Sequence, residues 1–249
     1  MLEIRELEKS FGGIKAVDRC SLRVEESSIT GLIGPNGAGK TTLFNLISGL
    51  YKPDGGEIWF MGDRIDGLPS HKIARKSISR TFQIPREFKE MTVLENLMLI
   101  PKHQMGENLL NTLFRPNLIK MQEKKNMEKA LKILEFLELI DLKNDYAKNL
   151  SSGQKKLLEL AKILMSDPLV ILLDEPGAGV NPTLMKKLVE SIEKLREEGI
   201  TFFLIEHDMD FITYLCDRVI VMHKGKKMTE GTPEEIKKDK QVLEAYLGV

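Results

Sequence analysis

The chain has 249 residues, 42% of them hydrophobic, which is enough for one large domain or two small ones with a real core. Lys plus Arg and Asp plus Glu each number 37, so no net field draws it to nucleic acid or to an acidic membrane surface, and no nucleic-acid partner is expected. The only cysteines, Cys20 and Cys216, exclude a disulfide scaffold and suit a reducing cytoplasm; no apolar run approaches the roughly 18–20 residues of a membrane span, and the charged N-terminus is not signal-like.

In chain order, the alternation through Cys20, Leu22 and Val24 predicts antiparallel strands with one buried face over the first ~30 residues. Residues 28–33 read as a buried strand, 34–39 as a glycine loop, and 40–50 as a helix interrupted at Gly49. Residues 57–60 read as another strand. Residues 92–100 open with a capping box, Thr92 followed three residues later by Glu95. Over 126–140, Ala130, Ile133, Leu134 and Leu137 share one helical face, so a helical lobe is expected from about 88 to 165. Residues 101–120 carry little periodicity and read as a loop with a short helix. Residues 170–173, 200–205 and 218–222 are then predicted strands separated by helical stretches, the pattern of a mostly parallel sheet wound with helices.

The chemistry begins at Gly34-Pro-Asn-Gly-Ala-Gly39-Lys40-Thr41, which fits GxxxxGK[ST] between a strand and a helix. Glycines there let the backbone N–H groups around Gly37, Ala38 and Gly39 turn toward a phosphate chain, and the helix N-terminus adds a partial charge of about +0.5. Lys40 is expected to reach the β- and γ-phosphates and Thr41 to bind Mg²⁺, with Asn36 and Thr42 adding phosphate contacts. Further on, the apolar run ending in Asp174-Glu175 delivers Asp174 to the Mg²⁺ edge and Glu175 to the γ-phosphate, where a carboxylate can orient and deprotonate water. An apolar strand ending in solvated acids is common, so this pair decides little alone. No Asn-Lys-x-Asp guanine-reading motif follows, which argues against a GTPase.

Ser151-Ser152-Gly153-Gln154 has the Ser-x-x-Gln spacing of a capping box opening a helix that turns Leu157, Leu158, Ala161 and Leu164 inward. Taken by itself it is an ordinary capped helix. It also resembles the signature of the ATP-binding-cassette (ABC) ATPases, and the family's other motifs occur in order around it: Phe11, the phosphate loop, Gln83, Asp174 with Glu175, and His207. The resemblance implies a P-loop NTPase α/β core with an N-terminal antiparallel β layer and an inserted helical subdomain. It makes 1–249 a single cassette domain, with core and β layer on 1–87 and 166–249 and the helical subdomain on 88–165.

The resemblance also implies roles. Phe11 matches the aromatic that stacks on adenine, although a lone Phe is more often core. Gln83 matches the glutamine that senses Mg²⁺ and the attacking water, a position otherwise read as a solvated loop amide. His207 matches the histidine that contacts the γ-phosphate. Ser151, Ser152, Gly153 and Gln154 match the turn that faces ATP held by a second cassette, so an ATP-dependent homo- or heterodimer is implied. Two positions depart from the commonest pattern: Ser152 stands where glycine is most frequent, and Asn181 where many cassettes carry aspartate. Asn181-Pro182 also reads simply as a helix cap followed by proline.

Longer stretches, among them Arg80-Thr-Phe-Gln83, Glu175-Pro-Gly-Ala-Gly-Val-Asn-Pro182, Ile205-Glu-His-Asp-Met and the ending Ala245-Tyr-Leu-Gly, resemble the ATPase subunits of branched-chain amino acid importers. Urea or amide importers and the cassette of lipopolysaccharide export share parts of them. The resemblance implies an ATPase on the cytoplasmic face of the membrane, peripheral to integral permease subunits and served indirectly by an external substrate-binding protein. A soluble, non-transport cassette is the alternative.

Overall fold

The computed structural model describes residues 1–81, 87–102, 104–107 and 114–247, with side chains to 245. Its chain divides into two compact units, one formed by Met1–Gln83, Leu169–Ala178 and Ile192–Val249, the other by Ile84–Pro168 and Gly179–Ser191.

The first unit holds two sheets. Strands β1 (Leu2–Phe11), β2 (Ile14–Val24), β4 (Gly55–Phe60) and β5 (Asp63–Arg64) form an antiparallel sheet in the order β2-β1-β4-β5. The layer expected from the first residues therefore recruits a later hairpin. A six-stranded sheet runs β10-β9-β3-β8-β7-β6, from β3 (Ile29–Ile33), β6 (Ile78–Arg80), β7 (Val170–Asp174), β8 (Thr201–Ile205), β9 (Arg218–His223) and β10 (Lys226–Gly231). All its pairings are parallel except β9 with β10. Every residue of β3, β7 and β8 is buried, as expected for parallel strands covered on both faces. Helix α1 (Lys40–Ile47) packs Leu43, Phe44, Leu46 and Ile47 into one core with residues of both sheets, and the Phe44 and Phe203 rings lie 5.0 Å apart.

The second unit is helical. Helix α3 (Val93–Met98; α2 is Ser70–Arg75 in the first unit) starts at Thr92, whose capping box with Glu95 forms as its spacing predicts. Beneath it the fully buried Asn96 side chain accepts from Phe88 N–H and donates to the Phe88 and Thr92 carbonyls. Helix α4 (Pro116–Phe136) begins about ten residues before the predicted start, because its first half is polar and only Ala130 and Leu134 are buried along it. It ends where Glu138 takes a left-handed backbone at φ 54°, a conformation L-residues adopt only briefly. Helix α5 (Ser152–Leu164) buries Leu157, Leu158, Ala161 and Leu164, the stripe read from the sequence. Among the described residues no helix is long and apolar enough to cross a membrane.

Candidate nucleotide site

β3 ends at Ile33, and the chain turns through Gly34–Gly39 into α1 without any side-chain cap on Gly39 and without an acidic residue in the first turn. The first N–H groups of the helix are therefore left for an external acceptor. Two of its glycines are dictated by packing. A Cβ on Gly34 would stand 2.1 Å from the Met222 carbonyl, and one on Gly39 would stand 2.2 Å from the Ala16 carbonyl; both positions also have positive φ.

Around this loop opens a cleft of about 570 Å³, lined by Asn36, Gly37, Ala38, Gly39, Lys40, Thr41 and Thr42, by Ile14, Lys15 and Ala16 of the β2 edge, and by Glu175, Ile205, His207 and Lys224. Every predicted phosphate-loop residue thus faces one space with Glu175 and His207. Lys40 is only 6% exposed, and its ammonium donates to the Gly34 carbonyl at 2.6 Å and the Pro35 carbonyl at 3.1 Å. Burial pulls its pKa below the ordinary lysine value, while the carboxylates of Glu175 and Asp174 act in the opposite direction. An incoming phosphate would trade two carbonyl acceptors for an anionic one.

Glu175 follows the last residue of β7 in a left-handed backbone at φ 50°, and its N–H donates to the Ile205 carbonyl at 3.0 Å. Such a conformation in a residue other than glycine is costly and is kept where surrounding structure enforces it. The turn swings its carboxylate to His207, Oε1 lying 3.0 Å from Nε2.

Asp174 is buried and its environment is unusual. Its Oδ2 accepts from Arg80 Nη2 at 2.9 Å and its N–H donates to Thr81 Oγ1 at 3.1 Å. Arg80 Nη1 donates in turn to Asn45 Oδ1 on α1 at 2.6 Å and to Ser48 Oγ just past its end at 3.2 Å, and its guanidinium lies over the Phe44 ring. Yet Asp174 Oδ1 and Arg80 Nε have no hydrogen-bond partner among the described residues. A buried carboxylate oxygen left unpaired is unfavourable and fits a divalent cation or its water. No cluster of three or more His, Cys, Asp or Glu side chains that could hold a metal exists among the described residues. A single carboxylate is what Mg²⁺ needs when nucleotide phosphates and water complete its shell.

Other predicted positions stand elsewhere. Phe11 is 44% exposed, edge-on to Tyr51 with centroids 5.3 Å apart and Lys9 over its ring, so it is not core. It is absent from the cleft lining, although its pairing partner Ile14 belongs to it. Gln83 lies outside the described residues. In the helical unit, Ser151 and Gln154 form the complete capping box, with Ser151 Oγ accepting from Gln154 N–H and Gln154 Oε1 from Ser151 N–H. A Cβ on Gly153 would meet only the terminal Cδ1 of Leu184 at 2.6 Å, a contact that the leucine can relieve by shifting. Ser152 donates to the Gly179 carbonyl at 2.8 Å and has no positive φ, so no glycine is required of its backbone. Asn181 caps helix α6 (Pro182–Glu197), accepting from Leu184 N–H at 2.9 Å. Arg80, Thr81 and Glu206 take up structural positions beside the site that motif reading did not assign. The available signal was their place in the stretches Arg80-Thr-Phe-Gln and Ile205-Glu-His.

Comparison with known proteins identifies the family. Residues 17–178 match the ABC transporter family, and residues 226–249 match the branched-chain amino acid ATP-binding cassette transporter family. The chain is 44% identical over 249 residues to the high-affinity branched-chain amino acid transport ATP-binding protein BraF of Pseudomonas aeruginosa, covering 100% of this chain and 98% of that protein. It is 43% identical over 248 residues to the probable branched-chain amino acid transport ATP-binding protein LivG of Archaeoglobus fulgidus, covering 100% and 95%. Among solved structures it resembles a nucleotide-free ATP-binding cassette from an ABC transporter with TM-score 0.86 and 41% identity over 100% of this chain and 99% of that one. It resembles a cassette in its ADP conformation with TM-score 0.84 and 38% identity over 100% and 99%, and a dimeric post-hydrolysis cassette bound to ADP and phosphate with TM-score 0.77 and 25% identity over 94% and 99%. The first family match takes in more than half of the chain and both relatives match its whole length, so the chain belongs to the ABC transporter family as an ATP-binding cassette, the ATPase component.

Proposed function

We propose that this cassette powers import of branched-chain or other hydrophobic amino acids, working as one domain on the cytoplasmic face beneath integral permease subunits and fed by an external substrate-binding protein. The cargo reading is supported by the full-length relatives and by the match of residues 226–249 to the branched-chain family.

The observation that carries the chemistry is the convergence of Lys40, Glu175 and His207 on one cleft. ATP is the substrate, with Phe11 offering an exposed aromatic face to the adenine. Lys40 and the N–H groups at the start of α1 bind the β- and γ-phosphates, with Asn36 and Thr42 beside them. Thr41 and Asp174 Oδ1, with Gln83, would hold Mg²⁺, which when bound neutralises phosphate charge in the transition state. Glu175 accepts the proton of the attacking water, and His207, adjacent to its carboxylate, contacts the γ-phosphate and keeps that carboxylate in place.

The signature turn supplies the other half of the site in a second cassette: Ser151 accepts from its own helix, leaving its O–H free to donate to a phosphate oxygen. Binding would then close a dimer and hydrolysis would reopen it. The test is uptake of labelled leucine by vesicles carrying the transporter with the native chain or Lys40→Ala. Selective loss of ATP-driven uptake is expected in the variant. Undiminished leucine uptake would remove the amino-acid cargo and leave urea, amides or an exported lipid to be tried.

A further inference from the structure

Between His207 and the end of β8 lies a buried acid that the mechanism above does not use. Glu206 is 5% exposed, whereas the two residues after it, His207 and Asp208, are exposed. Its two oxygens serve different loops. Oε1 accepts from Gly177 N–H at 2.7 Å, and Oε2 accepts from His207 N–H at 3.1 Å. Gly177 lies two residues beyond Glu175 in the turn closed by the Ala178 N–H to Glu175 carbonyl bond at 3.2 Å. On the far side, Asp208 caps helix α7 (Met209–Leu215), accepting from the Asp210 and Phe211 N–H groups. His207 is therefore pinned on both flanks, and one of the pins also grips the Glu175 turn.

Placing a carboxylate in this position is expensive in desolvation, and an apolar or amide side chain of similar volume would fill the space at lower cost. What only a carboxylate offers is acceptor capacity on both oxygens with no donor. A glutamine can satisfy one of these N–H groups with its oxygen but turns its NH₂ against the other.

We propose that Glu206 is a positioning residue for ATP hydrolysis: by holding Gly177 and His207 on its two oxygens, it fixes the separation of His207 from Glu175. The inference rests on the reading of Glu175 and His207 as hydrolytic residues. Glu206→Gln is expected to lower kcat ten- to a hundredfold, with KM for ATP and the affinity for a fluorescent ATP analogue within threefold of native. In a His207→Ala background the same substitution should cost much less, because the residue through which it acts is gone. A kcat within twofold of native, a loss matched by an equal loss of ATP affinity, or a full additive loss in the His207→Ala background would overturn the proposal.

Should the variant not fold, amide hydrogen exchange in the native protein decides. Gly177 and His207 amides are expected to be strongly protected with and without nucleotide, and exchange at the rate of exposed loop amides would sink the idea. Glu175→Gln run in parallel separates the two levels. If it abolishes hydrolysis while Glu206→Gln leaves kcat within twofold of native, only the role of Glu206 falls; if it hydrolyses at the native rate, the base assignment itself falls.

Discussion

The phosphate-loop cleft and the signature turn are both built on helix N-termini, and they treat that end in opposite ways. At α1 the cap position is Gly39, which offers no side chain, and the loop's one cation is buried and donates to carbonyls of its own loop. At α5 the cap is Ser151, whose box with Gln154 is closed, and Ser151 and Ser152 are exposed. The first end keeps its backbone donors free behind a shaped cleft, as a binding site must. The second is a self-satisfied surface turn, which in the proposed function meets a phosphate only when a partner brings one. Nucleotide affinity should therefore belong to the first region, and dimer closure to the second.

The largest expected effect sharpens that division within the cleft. Glu175→Gln keeps the size of the side chain and its contact with His207 but removes the base, so hydrolysis should slow by about 10²- to 10⁴-fold while ATP still binds. Gel filtration with ATP should then show a trapped dimer. Monomer alone under these conditions would separate ATP binding from dimer closure and break the comparison.

A smaller effect is expected at the other helix end. Ser151→Ala removes the hydroxyl that caps α5 and should destabilise the protein by about 1 kcal/mol, a Tm drop of roughly 2–4 °C. If the turn serves a partner's nucleotide as proposed, ATP affinity of the isolated cassette should stay within about twofold while ATP-dependent dimerisation weakens. Calorimetry and an ATP-analogue titration separate these outcomes. An equal loss of ATP affinity in the monomer would mean the two regions are not divided as argued.

Much of this was legible in the sequence where the physics is local. The capping boxes at Thr92 and Ser151 are three-residue spacings, and both form. β3, β7 and β8 are short apolar runs, and burial on both faces is what such runs satisfy. The phosphate loop was legible because strand, glycines and helix are contiguous. Long-range partnership was not legible. Arg80 lies 94 residues from Asp174, and nothing in the polar β6 segment says that its guanidinium is buried. Glu206 lies 29 residues from Gly177 and reads as a solvated acid beside a histidine. The polar first half of α4 escaped for a different reason: a helix that buries nearly nothing along that stretch leaves no stripe to detect.

Ser152 provides the smallest and finest test of the comparison. It occupies the position where the family most often has glycine, and its hydroxyl donates to the Gly179 carbonyl at 2.8 Å. That bond is exposed, so it contributes at most about 1 kcal/mol, and Ser152→Gly also adds backbone freedom to the first helical position. Together these should lower Tm by only a few degrees. Steady-state ATPase activity should change by less than about threefold, because the substitution restores the common pattern and leaves the Ser151 hydroxyl and the helix N-terminus in place. A gain beyond threefold would show that the serine holds the turn away from its partner's phosphate. A loss of that size would show that the tie to Gly179 helps set the turn for it, and the signature end would then be less self-sufficient than its closed capping box suggests.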